Sequence, residues 1–280
     1  MLTHTFLHIP GVGAATEQRL WASGLDHWDR IERGGWPAGL SAGLRARLIE
    51  ALAESRWALE AGEAGFFASQ LPPGQHWRLY REFRGRTGFV DIETTGLDPR
   101  DSYVTTIAVF DGRGVRSYVH GQNLEEFRQD VRQFALLVTY NGKAFDVPFL
   151  RHRLAGLQLD QPHIDLRYFL RWLGYTGGLK GCERKMGLSR PAGLEQIDGS
   201  MAVRLWNRHL RGDERALPTL LRYNAEDAVN LRWLMETGYN MAVRRLPIRV
   251  EPLAVEPRPE LPSSLDTALI AELQGSAFDI

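Results

Sequence analysis

The run Gly88–Pro99, GFVDIETTGLDP, sets the first constraint on how this chain folds. Phe89–Glu93 has the character of a β-strand, in which successive side chains point to opposite faces. Val90 and Ile92 then share one face, and Asp91 and Glu93 share the other. Two carboxylates side by side at ~4 Å repel by about 4 kcal/mol at an effective dielectric near 20. A shared proton, a basic side chain or a metal ion would offset that repulsion. The competing reading is an exposed strand end whose acids simply face water.

The pattern downstream of Phe89 predicts an α/β fold. FVDIE is followed by YVTTIAVF and VRSYVH, the last two joined by the hairpin signal DGRG, Asp111 to Gly114. A helix is expected over 124–134. ALLVTYNG reads as a short buried strand ended by Asn-Gly, VPFLRHRLAGL as a helix, and the rest as mostly helical to about Met241. The order β-β-β-α-β-α implies a mixed sheet with helices packed on it. Residues 1–65 read as a helical region, with Leu44, Leu48, Ala51, Leu52 and Ser55 at helical spacing. Residues 66–88 form a lead-in: LPPGQHW is a breaker cluster and RLYREF reads as extended. The main domain is placed at 89–241. Residues 242–280 form a Pro-rich tail, expected to be extended, with a short amphipathic helix in SLDTALIAELQG capped by Ser264.

Charge and cysteine content narrow the function classes. Lys plus Arg and Asp plus Glu number 34 each, so the overall basic excess that often marks a nucleic-acid binder is missing. Charge can still be local. Between Arg151 and Arg222 there are 13 Lys and Arg against 7 Asp and Glu, enough for a basic wall or for ordinary helix surface. Cys182 is the single cysteine, so no intrachain disulfide can form. The N-terminus lacks a basic start followed by a long apolar core, and no run approaches the ~18 apolar residues of a membrane span. A cytoplasmic location without membrane contact is the expectation.

Two more acids stand out. Asp146 follows the buried strand where a loop feeds a helix, in TYNGKAFDVPFL; as plain structure it would be a helix N-cap. Asp227 lies in the helical pattern LLRYNAEDAVNLRWLM, four residues after Tyr223 and so on the same helix face. As plain structure these two would be a Tyr–Asp surface pair.

In order along the chain, DIETTGL, YNGKAFDVPFL and YNAEDAVNL resemble the three motifs of the DnaQ-like 3′–5′ exonucleases of the ribonuclease H-like fold. The Tyr four residues before the last Asp is similar to the DEDDy branch; Arg222 stands before Tyr223, and no His marks the other branch. HIDLR (His163 to Arg167), GLSR and IDG, with a PGVG element near the start, resemble the bacterial YprB-like group. The resemblance spans about Phe89 to Met235. It implies a ribonuclease H-like mixed sheet flanked by helices, and a metal-dependent exonuclease acting on single-stranded DNA or RNA from a 3′ end. It also implies two divalent cations, Mg²⁺ or Mn²⁺, held by Asp91, Glu93, Asp146 and Asp227. Hard oxygen ligands suit those ions, and no His or Cys cluster points to zinc. By the same resemblance Asp91 bridges both ions and Glu93 and Asp227 complete one site, with Glu93 also touching the water. Asp146 acts on the other ion through water. Tyr223 holds or deprotonates the attacking water, and orientation is the safer role for a phenol whose ordinary pKa is about 10.

Thr94, Thr95, Gly96 and Leu97 are the implied lining of the 3′-terminal nucleotide pocket, although Thr-Thr-Gly also reads as a simple turn. Asn141 is a further candidate substrate contact. HIPGVGAATEQRLWASGL resembles a helix-hairpin-helix element in which Gly11 and Gly13 would offer backbone N–H groups to a phosphate; a tight helix–helix turn is the plain alternative. Trp21, Trp28, Trp36 and Trp57 read as packing residues. A protein partner, if the chain has one, is expected at the tail. Two other functions stay open: a nucleic-acid-binding module with weak or no catalysis, and a nuclease specialised for short oligonucleotides.

Overall fold

The computed structural model describes residues 1–32, 36, 39–261 and 265–275. The first part is helical: α1 (Ala14–Ala22), α2 (Trp28–Glu32), α3 (Ala42–Glu60) and α4 (Ala64–Gln70). The Ser41 hydroxyl caps α3 by accepting from the Leu44 amide at 3.2 Å. RLYREF is not extended. It completes a 3₁₀ turn over Pro73–Leu79 and forms α5 (Tyr80–Phe83). Leu79, Tyr80 and Phe83 are buried together, which is the spacing of one helical face and not strand alternation.

Next come β1 (Thr87–Thr94), β2 (Val104–Phe110) and β3 (Val115–Val119), then α6 (Phe127–Asp130), β4 (Leu136–Thr139), α7 (Asp146–Arg153) and β5 (His163–Asp165). The helix expected over 124–134 is broken: α6 is a single turn flanked by 3₁₀ turns. The remainder is α8 (Leu166–Leu173), α9 (Gly178–Met186), α10 (Gly199–Leu210), α11 (Ala216–Val243) and α12 (Thr267–Gly275). The hairpin between β2 and β3 turns on Asp111, whose Oδ1 accepts the amides of Arg113 and Gly114 at 2.8 Å each. The fifth strand, β5, is three residues long, too short to show a period. The proposed cap Ser264 lies outside the described residues; the α12 amide of Leu269 is accepted by Asp266 at 2.8 Å.

The sheet order is β3-β2-β1-β4-β5. β1 is central, antiparallel to β2 and parallel to β4, and β5 continues parallel beyond β4. This mixed sheet flanked by helices is the ribonuclease H-like α/β fold. The strand alternation is real: Val90 and Ile92 enter an apolar cluster with Phe127, Phe149 and Leu150, while Asp91 and Glu93 stay half-buried on the opposite face. That opposite face is covered by α11, which packs on β1 and β2. The tail runs along α11: Asn240 accepts the Leu253 amide at 2.7 Å and donates to its carbonyl at 2.9 Å. Arg258 pairs with buried Glu226 at 2.5 Å.

The N-terminal helices share one apolar cluster with the sheet, including Trp28, Phe67, Tyr80, Phe89 and Tyr239. Trp21 and Trp28 are buried and donate their indole N–H groups to the carbonyls of His4 and Thr5. Trp57 is 67% exposed and does not pack inside. A buried ion pair pins the N-terminal segment to the lead-in: Arg78 Nη1 lies 2.9 Å from Glu17, which also accepts the Phe6 amide at 2.8 Å. Arg78→Met would leave the buried Glu17 carboxyl without its counter-charge. That change should lower stability by about 3–5 kcal/mol in urea unfolding, the cost of stripping one partner from a buried pair. A loss below about 1 kcal/mol would show that the pair does not hold this junction.

Candidate metal centre

Asp91, Glu93 and Asp227 each bring a carboxylate oxygen to one point, with all three atoms within 4.8 Å of one another. β1 supplies the first two through its alternation. α11 supplies the third, and Tyr223, one turn earlier, faces the same point; both residues are buried. At such separations each pair of ionised carboxylates repels by roughly 3 kcal/mol at an effective dielectric near 20. Burial first, then the neighbouring acids, push Asp91 and Glu93 well above the usual carboxylate range. Burial also raises Asp227, against the pull of Arg190.

Asp146 is the first residue of α7, but Phe145 holds the cap position and no side chain caps the helix. The plain N-cap reading therefore fails. Asp146 is buried beside β1, where the backbone of Ile92 hydrogen-bonds its carboxyl, and its charge acts on both Asp91 and Glu93. Burial pushes it up to about 7. It lies outside the group of oxygens formed by Asp91, Glu93 and Asp227.

Three neighbours of the acids were not singled out from the sequence. Asn224, fully buried on α11, donates to Asp91 Oδ2 at 2.7 Å, and Thr106 donates to its amide oxygen at 3.0 Å. This bond fixes which way the Asp91 carboxylate faces. Arg190, from the GLSR segment after α9, forms an ion pair with Asp227 and a fork with Glu183 at 2.6 and 2.7 Å. Lys180 on α9 lies 5.1 Å over the Tyr223 ring, and its charge, with that of Arg190, favours ionised Glu93. The acids therefore do have cationic partners, contributed by a segment remote from all three motifs. Asn224 was legible in principle, three residues before Asp227 on one helix face.

The donor set suits hard divalent cations: carboxylate oxygens converge, no His or Cys among the described residues joins them, and their repulsion is only partly met by Arg190 and Lys180.

A model of the RNase_H superfamily, RNase_H_2, matches residues 88–239, over half of the 280. The chain belongs to the RNase_H superfamily. No curated protein matches it. Among solved structures it is similar to the family B DNA polymerase from the hyperthermophilic archaeon Pyrobaculum calidifontis, at 19% identity over 55% of this chain, with a TM-score of 0.41. The match spans a quarter, 25%, of that polymerase. It is also similar to Brucella melitensis NrnC with bound Mg²⁺, at 20% identity, 58% of this chain, 76% of that one and a TM-score of 0.41. A structure described as the apo form of a nuclease matches at 21% identity, 60% and 77% coverage and a TM-score of 0.43.

In this RNase_H-superfamily chain the remaining candidate residues are placed as follows. The Thr94 hydroxyl donates to the Gly96 carbonyl at 2.6 Å, and the Thr95 hydroxyl accepts the Tyr103 amide at 3.0 Å. A Cβ on Gly96 would fall 2.4 Å from Ser102 Oγ, so a larger residue there would require that hydroxyl to move. Leu97 is 86% exposed and free to meet a ligand. Asn141 takes a left-handed backbone with φ 67°; its amide donates to Asp165 at 2.8 Å and its side-chain oxygen accepts from Arg167 at 2.5 Å. Gly11 and Gly13 lie exposed before α1, Gly13 in the cap position, and Arg47 lies against Gly11. Four residues of the basic surplus between Arg151 and Arg222 are engaged within the chain. Arg190 is internal, and Arg208, Arg215 and Arg222 pair with Asp213, Glu272 and Glu226. No described helix is long and apolar enough to cross a membrane.

The raised carboxylates set a pH signature. Asp146 is pushed from an ordinary value of 3.8 to about 7. Between those values the metal-free folded state holds a proton that the unfolded state has lost, so this residue's contribution to stability falls as pH rises. His8 and His163, both lowered to about 4 by burial, act in the opposite direction: their contribution is lost as pH falls below the ordinary value of 6.5. The Asp146→Asn variant isolates the first effect. In chelator, its stability relative to the parent should improve by about 2–3 kcal/mol between about pH 5 and about pH 8. A constant difference across that range would place Asp146 in a solvated, unperturbed position.

Proposed function

We propose that the chain is a divalent-metal-dependent 3′–5′ exonuclease of the DnaQ-like, DEDDy type. It hydrolyses phosphodiester bonds of single-stranded DNA or RNA. The observation that carries this reading is the convergence of the Asp91, Glu93 and Asp227 oxygens, with Tyr223 on the same face one helical turn before Asp227. Membership of the RNase_H superfamily over 88–239 supports it.

Asp91, Glu93 and Asp227 would hold the cations, with Asp146 completing the acidic set. A pair of Mg²⁺ or Mn²⁺ ions supplies Lewis-acid stabilisation to the attacking and leaving oxygens of an in-line displacement. The chain's own residues do the positioning. Asn224 fixes the Asp91 carboxylate, and Glu93 accepts a hydrogen bond from the attacking water. Tyr223 is raised well above the ordinary phenol range by burial and by the charges of Asp227, Glu93 and Asp91. In the metal-free chain this favours the protonated phenol, which would orient the water as a hydrogen-bond donor. Leu97 packs on the terminal base, and the backbone of Thr94–Gly96 shapes the end of the pocket.

A second reading, a nucleic-acid-binding module with weak or no catalysis, draws on Arg190. A guanidinium already paired with Asp227 is what a centre without metals would retain. Turnover separates the two readings. Digestion of 5′-labelled single strands should give a ladder with Mg²⁺ or Mn²⁺ and none in chelator. Tyr223→Phe should lower turnover by roughly 10²–10⁴, the range of a positioned proton-handling group, and leave metal affinity close to that of the parent. Asp227→Ala should instead weaken metal binding itself. Full turnover in excess chelator would remove the two-metal reading, and parental turnover of Tyr223→Phe would reduce Tyr223 to a packing neighbour.

A further inference from the structure

A second cavity of about 450 Å³ lies between the lead-in and α8, lined by Trp77, Lys143, His163, Asp165, Tyr168 and Trp172 among others. Its wall is aromatic. The rings of Trp77, Phe169 and Trp172 lie within 22° of parallel, with centroids 5.9–6.1 Å apart. Trp77 and Phe169 are buried and give this stack a fixed base. Tyr168 and Trp172, one turn apart on α8, are 50% and 49% exposed. About half of each side chain stays open to solvent, although the Trp172 ring also meets Trp77, Phe169 and Arg245. His163 is held neutral near pH 7 by burial, and its Nε2 is engaged by the Thr139 hydroxyl at 2.8 Å.

The charges around this cavity favour a polyanion. Asp165 is the acid in its lining, and its carboxylate already accepts the amides of Asn141, Lys143 and Arg167 at 2.8–3.0 Å. Lys143 stands exposed at the rim, and Arg245 lies 5.5 Å over Trp172. On the neighbouring face of α8, Arg167 and Arg171 line another cavity of about 420 Å³ with Tyr140, Asn141 and Tyr175. Both cavities draw lining residues from α8 and from the loop 141–143. Two links run toward the acidic centre: Asp165 acts on the charge of Asp146, three residues beyond Lys143, and Tyr140 contacts Cys182 on α9, the helix carrying Lys180.

We infer that the cavity at Tyr168 and Trp172 binds a nucleobase of a single strand whose 3′ end lies at the acids, the phosphates between them passing Arg167 and Arg171. This deepens the exonuclease reading and rests on it for the strand's direction. Stacking on an aromatic face tolerates every base, so the cavity would add affinity for long strands without sequence preference.

Abasic substitution tests the inference. Binding of a long single strand is measured in chelator, where no cleavage occurs, with one internal nucleotide at a time replaced by an abasic unit. In the parent protein, one or two internal positions should each weaken binding by roughly 5-fold to 150-fold, the effect of losing a stacked base. The half-exposed side chains permit a Tyr168→Ala/Trp172→Ala double variant. It should bind the intact strand more weakly and lose sensitivity at those positions, and Tyr168→Phe/Trp172→Phe should restore it. Lys143→Ala should reduce the salt dependence of binding. No sensitive internal position, sensitivity that survives in the double variant, or no binding of strands by the parent would each overturn the proposal. A base effect that disappears in the double variant, in a protein without metal-dependent turnover, would uphold the cavity and sink the exonuclease reading.

Discussion

Mutual repulsion among carboxylates is the constraint around which the rest of this structure is organised. Asp91, Glu93 and Asp227 offer oxygens within 4.8 Å of one another, and Asp146 adds its field from α7. Such a cluster persists only on elements that cannot yield. Asp91 and Glu93 lie in register with Ala108 and Thr106 of β2, and Thr87–Phe89 of the same strand pairs with β4, so the two acids cannot turn outward without breaking β1 from the sheet. Asp227 sits near the middle of α11, a 28-residue helix buried along most of its length. The cost of the cluster is thus carried by the packing of the sheet against that helix.

The counter-charges come from outside the motifs. Arg190 spans Asp227 and Glu183, and Asn230 donates to Glu183 at 3.0 Å. Arg258, from the tail, pairs with Glu226 beside Asp227 and donates to the Ser189 carbonyl beside Arg190 at 2.9 Å. Tyr80 and Arg84 from the lead-in both reach buried Glu236 further along α11. Three segments far apart in sequence thus converge on one helix. The orientation of Asp227 is a property of the whole chain from lead-in to tail.

Much of the fold was legible in the sequence because it repeats locally. Alternation in Phe89–Glu93 and the turn at Asp111–Gly114 both rest on near-neighbour geometry, and both hold in the structure. β5 escaped because three residues carry no period. RLYREF misled because six residues beside a breaker cluster are too few to show a helical period, and Arg78 is buried against Glu17 by a tertiary contact that no local pattern announces. The convergence of Asp91, Glu93 and Asp227 was legible as ordered motifs. Arg190 was not, because a charge partner delivered by another segment has no characteristic spacing. Gly96, read either as pocket lining or as part of a simple turn, lies in a turn against the Ser102 side chain.

Manganese titration followed by electron paramagnetic resonance tests the central claim most directly, that the carboxylate cluster is a two-cation site. Two Mn²⁺ ions should bind per chain near neutral pH, magnetically coupled as expected for ions about 4 Å apart, and Asp91→Asn should abolish the coupling. A single uncoupled ion at saturation, or none, would contradict the account and leave Arg190 as the cluster's permanent counter-charge.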